Sequence, residues 1–283
     1  MNALFIVNST KDTDAIIGKE VIGFLLENNF KVYVEDKNYL IDGCLMVADE
    51  DLEKMDVSII LGGDGTIINY ARRYAKYAIP FLGINLGRVG ALAYAELSDY
   101  KDYILNITKS KYRIENRSVL DISIYFENGD SKSIVAYNDM SLRRGASRKI
   151  LGVTAKINDS PENKFYCDGV VISTPTGSSA YNLSCGGPLL LPSTKCFVLT
   201  PISPQFKAFS PVVYDDEEII TLMLSDASET ALLEIDGCES YEIKPLDRVL
   251  IRKGKHSLRM LCFDKPGALF GSLYKVAMSI NKK

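Results

Sequence analysis

The sequence predicts an α/β N-terminal domain followed by an all-β C-terminal sandwich domain. Up to about residue 98, short apolar runs alternate with amphipathic segments of helix length. Beyond that point, polar and apolar residues alternate in short segments separated by turn residues. Apolar residues return at helical spacing near the C-terminus. We therefore expect an α/β domain at 1–98, a β-sandwich at 99–265, and a helix at 266–283 that packs back on the N-terminal domain.

The first domain is expected to hold a Rossmann-like parallel sheet, because strands and helices alternate along it. Its first helix carries an apolar face formed by Ile17, Val21, Phe24 and Leu25. Helices are expected at 14–28, 66–76 and 98–109. Strands are expected at 3–8, 30–35, 57–61 and 80–84.

The second domain is predicted from a hairpin and a series of short strands. Turn residues at 127–130 separate two alternating segments, an arrangement typical of a β-hairpin. Further strands are expected at 150–157, 169–173, 197–200, 219–224, 231–235, 248–252 and 258–262. The closing helix is indicated by Leu269, Leu273, Val276 and Ile280.

Composition excludes several classes of function. The 283 residues are 47% hydrophobic and carry a formal net charge of −3, so no basic field attracts nucleic acid or an anionic membrane. No apolar run approaches the roughly 20 residues that cross a bilayer, and the N-terminus lacks a basic leader. Six cysteines without CxxC spacing indicate reduced thiols. We expect a cytoplasmic protein with no nucleic-acid or membrane partner.

Two groups of side chains restrict the chemistry further. The only histidine, His256, lies in an alternating segment and is expected at the surface. Proton transfer is therefore left to carboxylates, tyrosine or lysine. A basic cluster fits either an anionic substrate or a solvated hairpin tip. It consists of Arg143, Arg144, Arg148 and Lys149.

The segment GGDGT, at 62–66, follows a predicted buried strand, at the sheet edge where open α/β sheets bind ligands. Its glycines allow a ligand close to the backbone, and the next helix, starting near Thr66, offers free amides to phosphate. A P-loop lysine and a third fingerprint glycine are both missing. Asp64 among these glycines suits phosphoryl transfer, although an Asp-Gly turn without chemistry is the alternative. The expected phosphate loop is Gly62, Gly63, Gly65 and Thr66.

A second segment, DGVVISTPTGSSAYNLSCGGP at 168–188, predicts a strand, a Thr- and Gly-rich turn and a short helix. Such a turn presents hydroxyls and amides to a ligand rich in ribose and phosphate oxygens. A connection without function is the alternative on composition alone. Gly177-Ser178-Ser179 lacks the second glycine of a nucleophile elbow, so serine catalysis is not expected.

GGDGT resembles the motif of 6-phosphofructokinases, lipid kinases and NAD kinases. The longer segment resembles bacterial NAD kinases, as do GINLGRVGALA at 83–93, NDMSL at 138–142 and LTPISPQ at 199–205. The resemblance implies transfer of the terminal phosphate of ATP, or of polyphosphate, to the 2′-hydroxyl of the adenosine ribose of NAD. It also implies Mg²⁺ or another divalent cation with ATP, NAD between the two domains, and a homodimer or homotetramer.

The same resemblance implies roles for individual residues, with no direct protein ligand to a metal. Asp64 would be the general base that takes the 2′ proton. Asn138 and Asp139 would hold the adenosine portion, and the carboxylate of Asp139 suits two ribose hydroxyls. The pair Asp236-Gly237 resembles a later Asp-Gly pair of the family. The implied NAD contacts are Asp64, Gly65, Asn138, Asp139, Lys149, Tyr166, Asp168, Thr176, Ser179, Ala180, Tyr181, Asn182, Leu183, Ser184 and Ser203.

Three positions depart from the pattern of the family. Gln205 stands where many members have histidine, which removes ionisation there. Cys238 replaces a common glutamine and removes an amide contact to NAD, and Ala91 replaces an aromatic residue beside the phosphate loop. Two other interpretations stay open. A lipid kinase is disfavoured by the acidic chain, and a dinucleotide-binding regulator without catalysis is disfavoured by the intact Asp64.

Overall fold

The chain forms two units, an α/β unit and an all-β unit, as the sequence predicts. The computed structural model describes residues 1–87, 92–145, 149–206, 209–225 and 230–263. The first unit combines Met1–Asn116 with the segment that starts at Ser257, and the second unit is Arg117–His256. Among the described residues, no helix combines the length and the apolar character needed to cross a bilayer.

The elements are named here in chain order. The helices are α1 (Ile16–Glu27), α2 (Asp64–Tyr74), α3 (Tyr100–Thr108) and α4 (Tyr181–Ser184). The strands are β1 (Asn2–Val7), β2 (Lys31–Val34), β3 (Leu45–Met46), β4 (Val57–Gly62), β5 (Phe81–Asn85), β6 (Ala95–Glu96), β7 (Arg113–Arg117), β8 (Leu120–Tyr125), β9 (Ser131–Ala136), β10 (Asp139–Arg144), β11 (Leu151–Ile157), β12 (Asn163–Cys167), β13 (Gly169–Ser173), β14 (Cys196–Ile202), β15 (Val212–Asp215), β16 (Ile220–Leu224), β17 (Ala231–Ile235), β18 (Glu239–Ile243), β19 (Arg248–Lys253) and β20 (Leu258–Cys262).

An eight-stranded sheet forms the first unit, in the order β3-β2-β1-β4-β5-β20-β7 with β6 beside β5. The central strands β4 and β5 are buried along their whole length and mostly apolar, as expected of parallel strands that are covered on both faces. Val7 pairs with Leu61, and Gly62 pairs with Asn85. The carboxyl ends of β1, β4 and β5 therefore meet at one edge of the sheet.

Helix α3 belongs to the first unit. The boundary between the two units therefore lies after residue 116 and not at the expected residue 98. Tyr100, Ile104 and Ile107 of α3 join the same hydrophobic core as Val21 and Leu25 of α1. A helix can bury its apolar stripe on either neighbouring domain, so its sequence does not say which domain it joins.

Strand β20 also joins the first unit, although the sequence placed residues 258–262 in the β-sandwich. Met260 pairs in parallel with Phe81 of β5, and Leu261 lies in the core of the first unit. The chain thus returns to its N-terminal unit through a strand. The helix expected at 266–283 lies outside the described residues.

The second unit consists of two six-stranded antiparallel sheets, in the orders β15-β14-β13-β10-β17-β18 and β12-β11-β16-β19-β8-β9. Met140 and Val170 of one sheet share a hydrophobic core with Ile122 and Val249 of the other. The sandwich predicted from the alternating pattern is confirmed. The predicted hairpin is confirmed too: Phe126 N–H donates to the carbonyl of Asp130 at 2.9 Å, and Gly129 adopts a φ of +90°.

Candidate functional site

The GGDGT loop joins β4 to α2 at the carboxyl edge of the parallel sheet. Helix α2 begins at Asp64, with Gly63 as its N-cap, two residues before the expected start near Thr66. A side chain at Gly62 would lie 2.5 Å from Thr66 Oγ1, so this position excludes any larger residue. Asn8, just after β1, donates to the same hydroxyl at 3.1 Å. The loop is therefore held in a compact form by contacts within the first unit.

Asp64 is half-buried and is the first residue of α2. A carboxylate at this end of a helix is favoured by the positive end of the helix dipole. Its Oδ1 accepts the backbone N–H of Leu92 at 3.0 Å. This bond joins the phosphate loop to the segment at 83–93, two motifs that the sequence offers separately. Ala91 lies outside the described residues.

Lys11 is a cation beside the loop that the sequence analysis does not name. A Cβ added at Gly63 would lie 3.4 Å from Lys11 Nζ, and one added at Gly87 would lie 3.3 Å from it. The ammonium group thus lies over the two glycines that flank the sheet edge. The sequence did contain a signal for this residue. Lys11 closely follows the first strand, and the end of that strand lies at the same sheet edge as GGDGT.

Asn138 and Asp139 are held by the turn of the long motif at 168–188. The N–H of Thr174 donates to the carbonyl of Asn138 at 2.9 Å. The hydroxyl of Thr174 donates to the carbonyl of Tyr137 at 2.8 Å. A Cβ at Gly177 would lie only 2.1 Å from the carbonyl oxygen of Asn138. The glycine of this turn is therefore required by the close approach of the two motifs.

Asp236 completes the arrangement from a third segment. Its Oδ1 accepts the N–H of Asn138 at 2.7 Å and the N–H of Asp139 at 3.1 Å. Its Oδ2 accepts the N–H of Tyr137 at 3.0 Å. Asp236 and Gly237 have φ values of +48° and +64°, as in a tight turn between β17 and β18. The later Asp-Gly pair thus shapes the backbone of the Asn-Asp pair.

Asp139 is a buried carboxyl group with 7% of its surface exposed. Burial, followed by the nearby charge of Asp236, raises the pKa of Asp139 from 3.8 to about 7. The backbone N–H of Tyr181 acts in the opposite direction, by hydrogen bonding to the carboxylate. Near neutral pH, this group therefore exchanges between a protonated form and an ionised form.

The turn and short helix after β13 carry several of the predicted contacts. Thr176 is 3% exposed, and its Oγ1 has no hydrogen-bond partner among the described residues. Ser179 is buried, Ser184 is exposed and Ala180 is intermediate. Asn182 differs, because both of its amide atoms are bonded within the protein. Its Nδ2 donates to Ser178 and Pro188 carbonyls at 3.1 and 3.0 Å, and its Oδ1 accepts from Thr200 at 2.6 Å.

The half-buried Tyr181 and Leu183 complete this group in α4. The Arg143 guanidinium lies 5.9 Å from the ring centroid of Tyr181. Arg143 also forms an ion pair with Glu234, so part of the basic cluster is neutralised. Gly65, the remaining glycine of the phosphate loop, is exposed.

The other predicted contacts lie at the opposite end of β13. Asp168 forms an ion pair with Arg144 at 3.3 Å. Asp139 pairs with Ser173 and Arg143 with Gly169, so the two ends are four residues, or roughly 14 Å, apart. The structure therefore separates these residues from the Asn-Asp pair. Ser203 follows Ile202, which pairs with Gly169. Tyr166 lies two residues before Asp168, and Lys149 lies two residues before Leu151, which pairs with Cys167.

Two of the three departures noted in the sequence are described by the structure, and both lie at the surface. Gln205 is exposed, and its N–H donates to the carbonyl of Tyr166 at 2.9 Å. Cys238 is exposed, with its Sγ 3.3 Å from the carbonyl of Asp236. His256 is exposed as expected. Arg148, the last member of the basic cluster to be placed, lies outside the described residues.

Sequence profiles of known families match both halves of the chain. The profile described as ATP-NAD kinase N-terminal domain matches residues 3–112. The profile described as ATP-NAD kinase C-terminal domain matches residues 137–262. The NAD kinase of Clostridium kluyveri is 35% identical over 260 residues, which are 91% of this chain and 89% of that protein. The NAD kinase of Carboxydothermus hydrogenoformans is 34% identical over 240 residues, 84% of each chain.

Solved structures agree with this result at the level of the fold. A yeast NADH kinase complexed with NADH superimposes with a TM-score of 0.85 at 20% identity, over 100% of this chain and 89% of that chain. An Archaeoglobus fulgidus NAD kinase in complex with ATP superimposes with a TM-score of 0.73 at 23% identity, over 99% of each chain. With both profiles matched and the fold shared, the chain belongs to the NAD kinase family.

Proposed function

We propose that this protein transfers the terminal phosphate of ATP, or of polyphosphate, to the 2′-hydroxyl of the adenosine ribose of NAD. The observation that carries the proposal is the placement of Asp64. Its carboxylate is fixed by Leu92 at the start of α2, among glycines at the carboxyl edge of a parallel sheet. Membership of the NAD kinase family supports the same reaction, since relatives over most of the chain bear that name.

The first unit would bind the phosphate donor. The first turn of α2 offers backbone amides and the positive end of its dipole, both of which favour phosphate. Lys11 adds a formal positive charge above Gly63 and Gly87. These groups would orient the terminal phosphoryl group and stabilise its charge as it is transferred.

Asp64 would act as the general base. The 2′-oxygen of NAD forms a bond to the terminal phosphorus of the donor, and the 2′ proton passes to the carboxylate of Asp64. The bond from that phosphorus to its bridging oxygen breaks, and its electron pair leaves with ADP. The products are NADP, ADP and a protonated Asp64, which then releases the proton to solvent.

The second unit would bind NAD. Asn138 and Asp139 would hold the adenosine portion, since Asp236 and the turn at 174–177 fix their backbone. Thr176 offers a buried hydroxyl that has no partner among the described residues, which a ligand oxygen would satisfy. Both amide atoms of Asn182 are hydrogen-bonded within the protein, which suits a residue that supports the NAD site from behind. The remaining predicted NAD contacts stay proposals.

The residues present fit a divalent cation that arrives with the donor. Mg²⁺ usually keeps several waters and is held largely by substrate phosphates, so it needs no dedicated group of protein ligands. Among the described residues, no three His, Cys, Asp or Glu side chains are grouped as metal ligands. Donor phosphates and water would therefore complete the coordination. The bound cation would offset negative charge on the transferred phosphoryl group. A cytoplasmic homodimer or homotetramer also stays part of the proposal.

The decisive experiment replaces Asp64 by asparagine in the purified protein. Asp64→Asn keeps the shape of the side chain but removes the proton acceptor, so kcat for NADP⁺ formation should fall by about 10²–10⁴-fold. The KM for NAD should change far less, because binding is retained. The readout is NADP⁺ formed from NAD, ATP and Mg²⁺, with diacylglycerol as a competing acceptor.

Asp14→Asn is the matched control, since Asp14 is exposed before α1. This variant should retain wild-type turnover. Near-normal turnover in Asp64→Asn would refute the role of Asp64. Labelled lipid in place of NADP⁺ would refute the acceptor.

A further inference from the structure

The connection between β5 and β6 returns to the carboxylate of Asp64. Residues 86–94 form this β5–β6 connection, and the two strands pair in parallel with Asn85 opposite Glu96. It is shorter than the roughly dozen residues that a parallel crossover usually needs. Within it, Leu92 is buried and donates its N–H to Asp64 Oδ1 at 3.0 Å. The position of Leu92 therefore sets the direction in which the carboxylate of Asp64 is held.

Asn85 and Glu96 close the base of the β5–β6 connection through their side chains. Asn85 is buried, and its Nδ2 lies 3.2 Å from each carboxylate oxygen of Glu96. The same Nδ2 donates to the carbonyl of Gly87, near the start of the connection, at 3.2 Å. One amide nitrogen thus joins the two ends of the connection. We call this contact the Asn85–Glu96 clamp.

The carboxylate of Glu96 decides which way the amide of Asn85 faces. A carboxylate only accepts hydrogen bonds, so Glu96 holds the nitrogen end of the amide towards itself. The oxygen end, Oδ1, is buried and has no hydrogen-bond partner among the described residues. An unpaired buried acceptor opposes folding, and a pair of apolar side chains at these positions would avoid that cost. Stability alone therefore does not account for the clamp.

The later part of the β5–β6 connection lies closely against β5 and beside α2. The N–H of Tyr94 donates to the carbonyl of Gly83 in β5 at 3.0 Å. A Cβ added at Gly83 would lie 3.0 Å from Cα of Ala93 and 2.7 Å from the side chain of Ile67 in α2. A shift of residues 92–94 would therefore change the hydrogen bond to the proposed base at the start of α2.

We propose that Glu96 is a positioning residue for Asp64. Its carboxylate fixes the amide of Asn85, and this amide closes the base of the β5–β6 connection. The closed connection presents the N–H of Leu92 to Asp64. Glu96 thus acts on the orientation of the base and not on the binding of either substrate. The inference rests on the proposed function, to which it adds a residue outside the recognised motifs.

The first test is a mutant cycle of Glu96→Ala and Asp64→Asn in the purified full chain. Glu96→Ala should lower kcat for NADP⁺ formation by about ten- to a hundredfold, because the base loses its fixed orientation. The KM values for ATP and NAD should change by less than about twofold. In the Asp64→Asn background, Glu96→Ala should have almost no further effect, because the two residues act as a unit. Glu53→Ala removes an exposed carboxylate from the same unit and should behave as wild type.

Hydrogen exchange measured by NMR provides a readout that does not depend on activity. The amide of Leu92 should exchange about tenfold or more faster in Glu96→Ala than in wild type, whereas the amides of β4 should be unchanged. An unchanged kcat, equal losses in both backgrounds, or unchanged exchange at Leu92 would overturn the proposal. If Asp64→Asn alone retains normal turnover, the proposed base fails, and exchange at Leu92 then decides whether Glu96 holds the connection.

Discussion

At the scale of single residues, three aspartates occupy different environments. Asp236 accepts three backbone N–H groups and shapes the backbone of the Asn-Asp pair. Asp139 is buried, and its pKa is raised to about 7. Asp64 is half-buried at the start of α2, with an N–H bond that orients its carboxylate. Burial and hydrogen bonding thus give three identical side chains different properties, which match the supporting, binding and proton-accepting roles proposed for them.

Lys11 yields the first prediction at this scale. Lys11→Ala should raise the KM for ATP and lower kcat/KM by about ten- to a hundredfold, because a hydrogen bond from a charged donor is worth roughly 1.5–3 kcal/mol. The KM for NAD should change little. Steady-state kinetics with each substrate varied in turn measures both effects. Lys19→Ala, a deletion of exposed charge on α1, should behave as wild type. A loss of the same size in both variants would show that general charge is responsible.

Asp139 yields a prediction about stability and pH. Its pKa lies near 7 in the folded protein and near 3.8 when unperturbed, so the folded state binds a proton that the unfolded chain releases between these values. Stability should therefore decrease as the pH rises from about 4 to about 7, and then level off. The displacement corresponds to roughly 4 kcal/mol. Asp139→Asn removes this term, so the variant should gain stability relative to wild type between pH 5 and pH 8.

Urea unfolding of wild type and Asp139→Asn, at pH 5 and at pH 8, measures this gain in stability directly. An unchanged difference between the variant and wild type would mean that Asp139 does not titrate in this range. The binding of NAD offers a second readout if the ionised form accepts ribose hydroxyls. NAD affinity should then rise up to about tenfold from pH 6 to pH 8, as the ionised fraction does. In Asp139→Asn, binding should be weak and independent of pH over that range.

At the scale of elements, close backbone contacts decide the form of the proposed NAD half-site. The 3₁₀ turn Thr176–Ser179 lies against the Asn-Asp pair so closely that Gly177 leaves no room for a side chain. Strand β13 pairs with β10 and β14, which fixes where this turn begins. The turn and the pair form one unit of structure, although about 35 residues separate them in the chain.

Gly177→Ala should therefore damage the site through its packing. The added methyl group would lie 2.1 Å from the carbonyl of Asn138, so the turn must move. We expect a loss of about 1–3 kcal/mol in stability, and a fall in kcat/KM for NAD on the order of 10²-fold. Thermal unfolding and kinetics measure the two effects. Gly23→Ala, in α1 with open space around it, should be neutral or slightly stabilising. Wild-type kinetics in Gly177→Ala would contradict the proposed coupling.

At the scale of the whole molecule, the two units differ in how the chain builds them. The second unit is one continuous segment, Arg117–His256, whereas the first combines residues from both ends of the chain. Strand β20 lies between β5 and β7 in the sheet of the first unit. Without β20, β5 would keep only the two-residue strand β6 on that edge, and the core would lose Leu261.

This arrangement predicts the behaviour of fragments. A fragment of residues 117–256 should unfold cooperatively, because its sheets and core are complete. A fragment of residues 1–116 should not, since it lacks β20. Fusing residues 257–283 to the N-terminus of that fragment through a flexible linker should restore cooperative unfolding. Circular dichroism during heating measures all three. Equal cooperativity of the 1–116 fragment with and without the fused segment would refute the role of β20.

Much of the protein is determined by local sequence pattern. Alternation and helical spacing located the central strands and helices to within a few residues, because those patterns depend only on which face is buried. Edge strands such as β12, β15 and β18 were not predicted, since each is only four or five residues long and largely exposed, which is too short to show a clear alternation of apolar and polar residues. The GGDGT loop and the family were also visible in the sequence, as both rest on contiguous motifs.

Tertiary structure alone decided the features that join distant segments. The sequence does not state that β20 pairs with β5, that Lys11 lies over Gly63, or that Asp236 binds the backbone of Asn138. Each depends on strand order and register, which arise from the packing of the whole core and leave no local periodicity. The sequence therefore determined which elements form and offered Asp64 as the candidate base. Packing determined which side chains and backbone groups surround that aspartate.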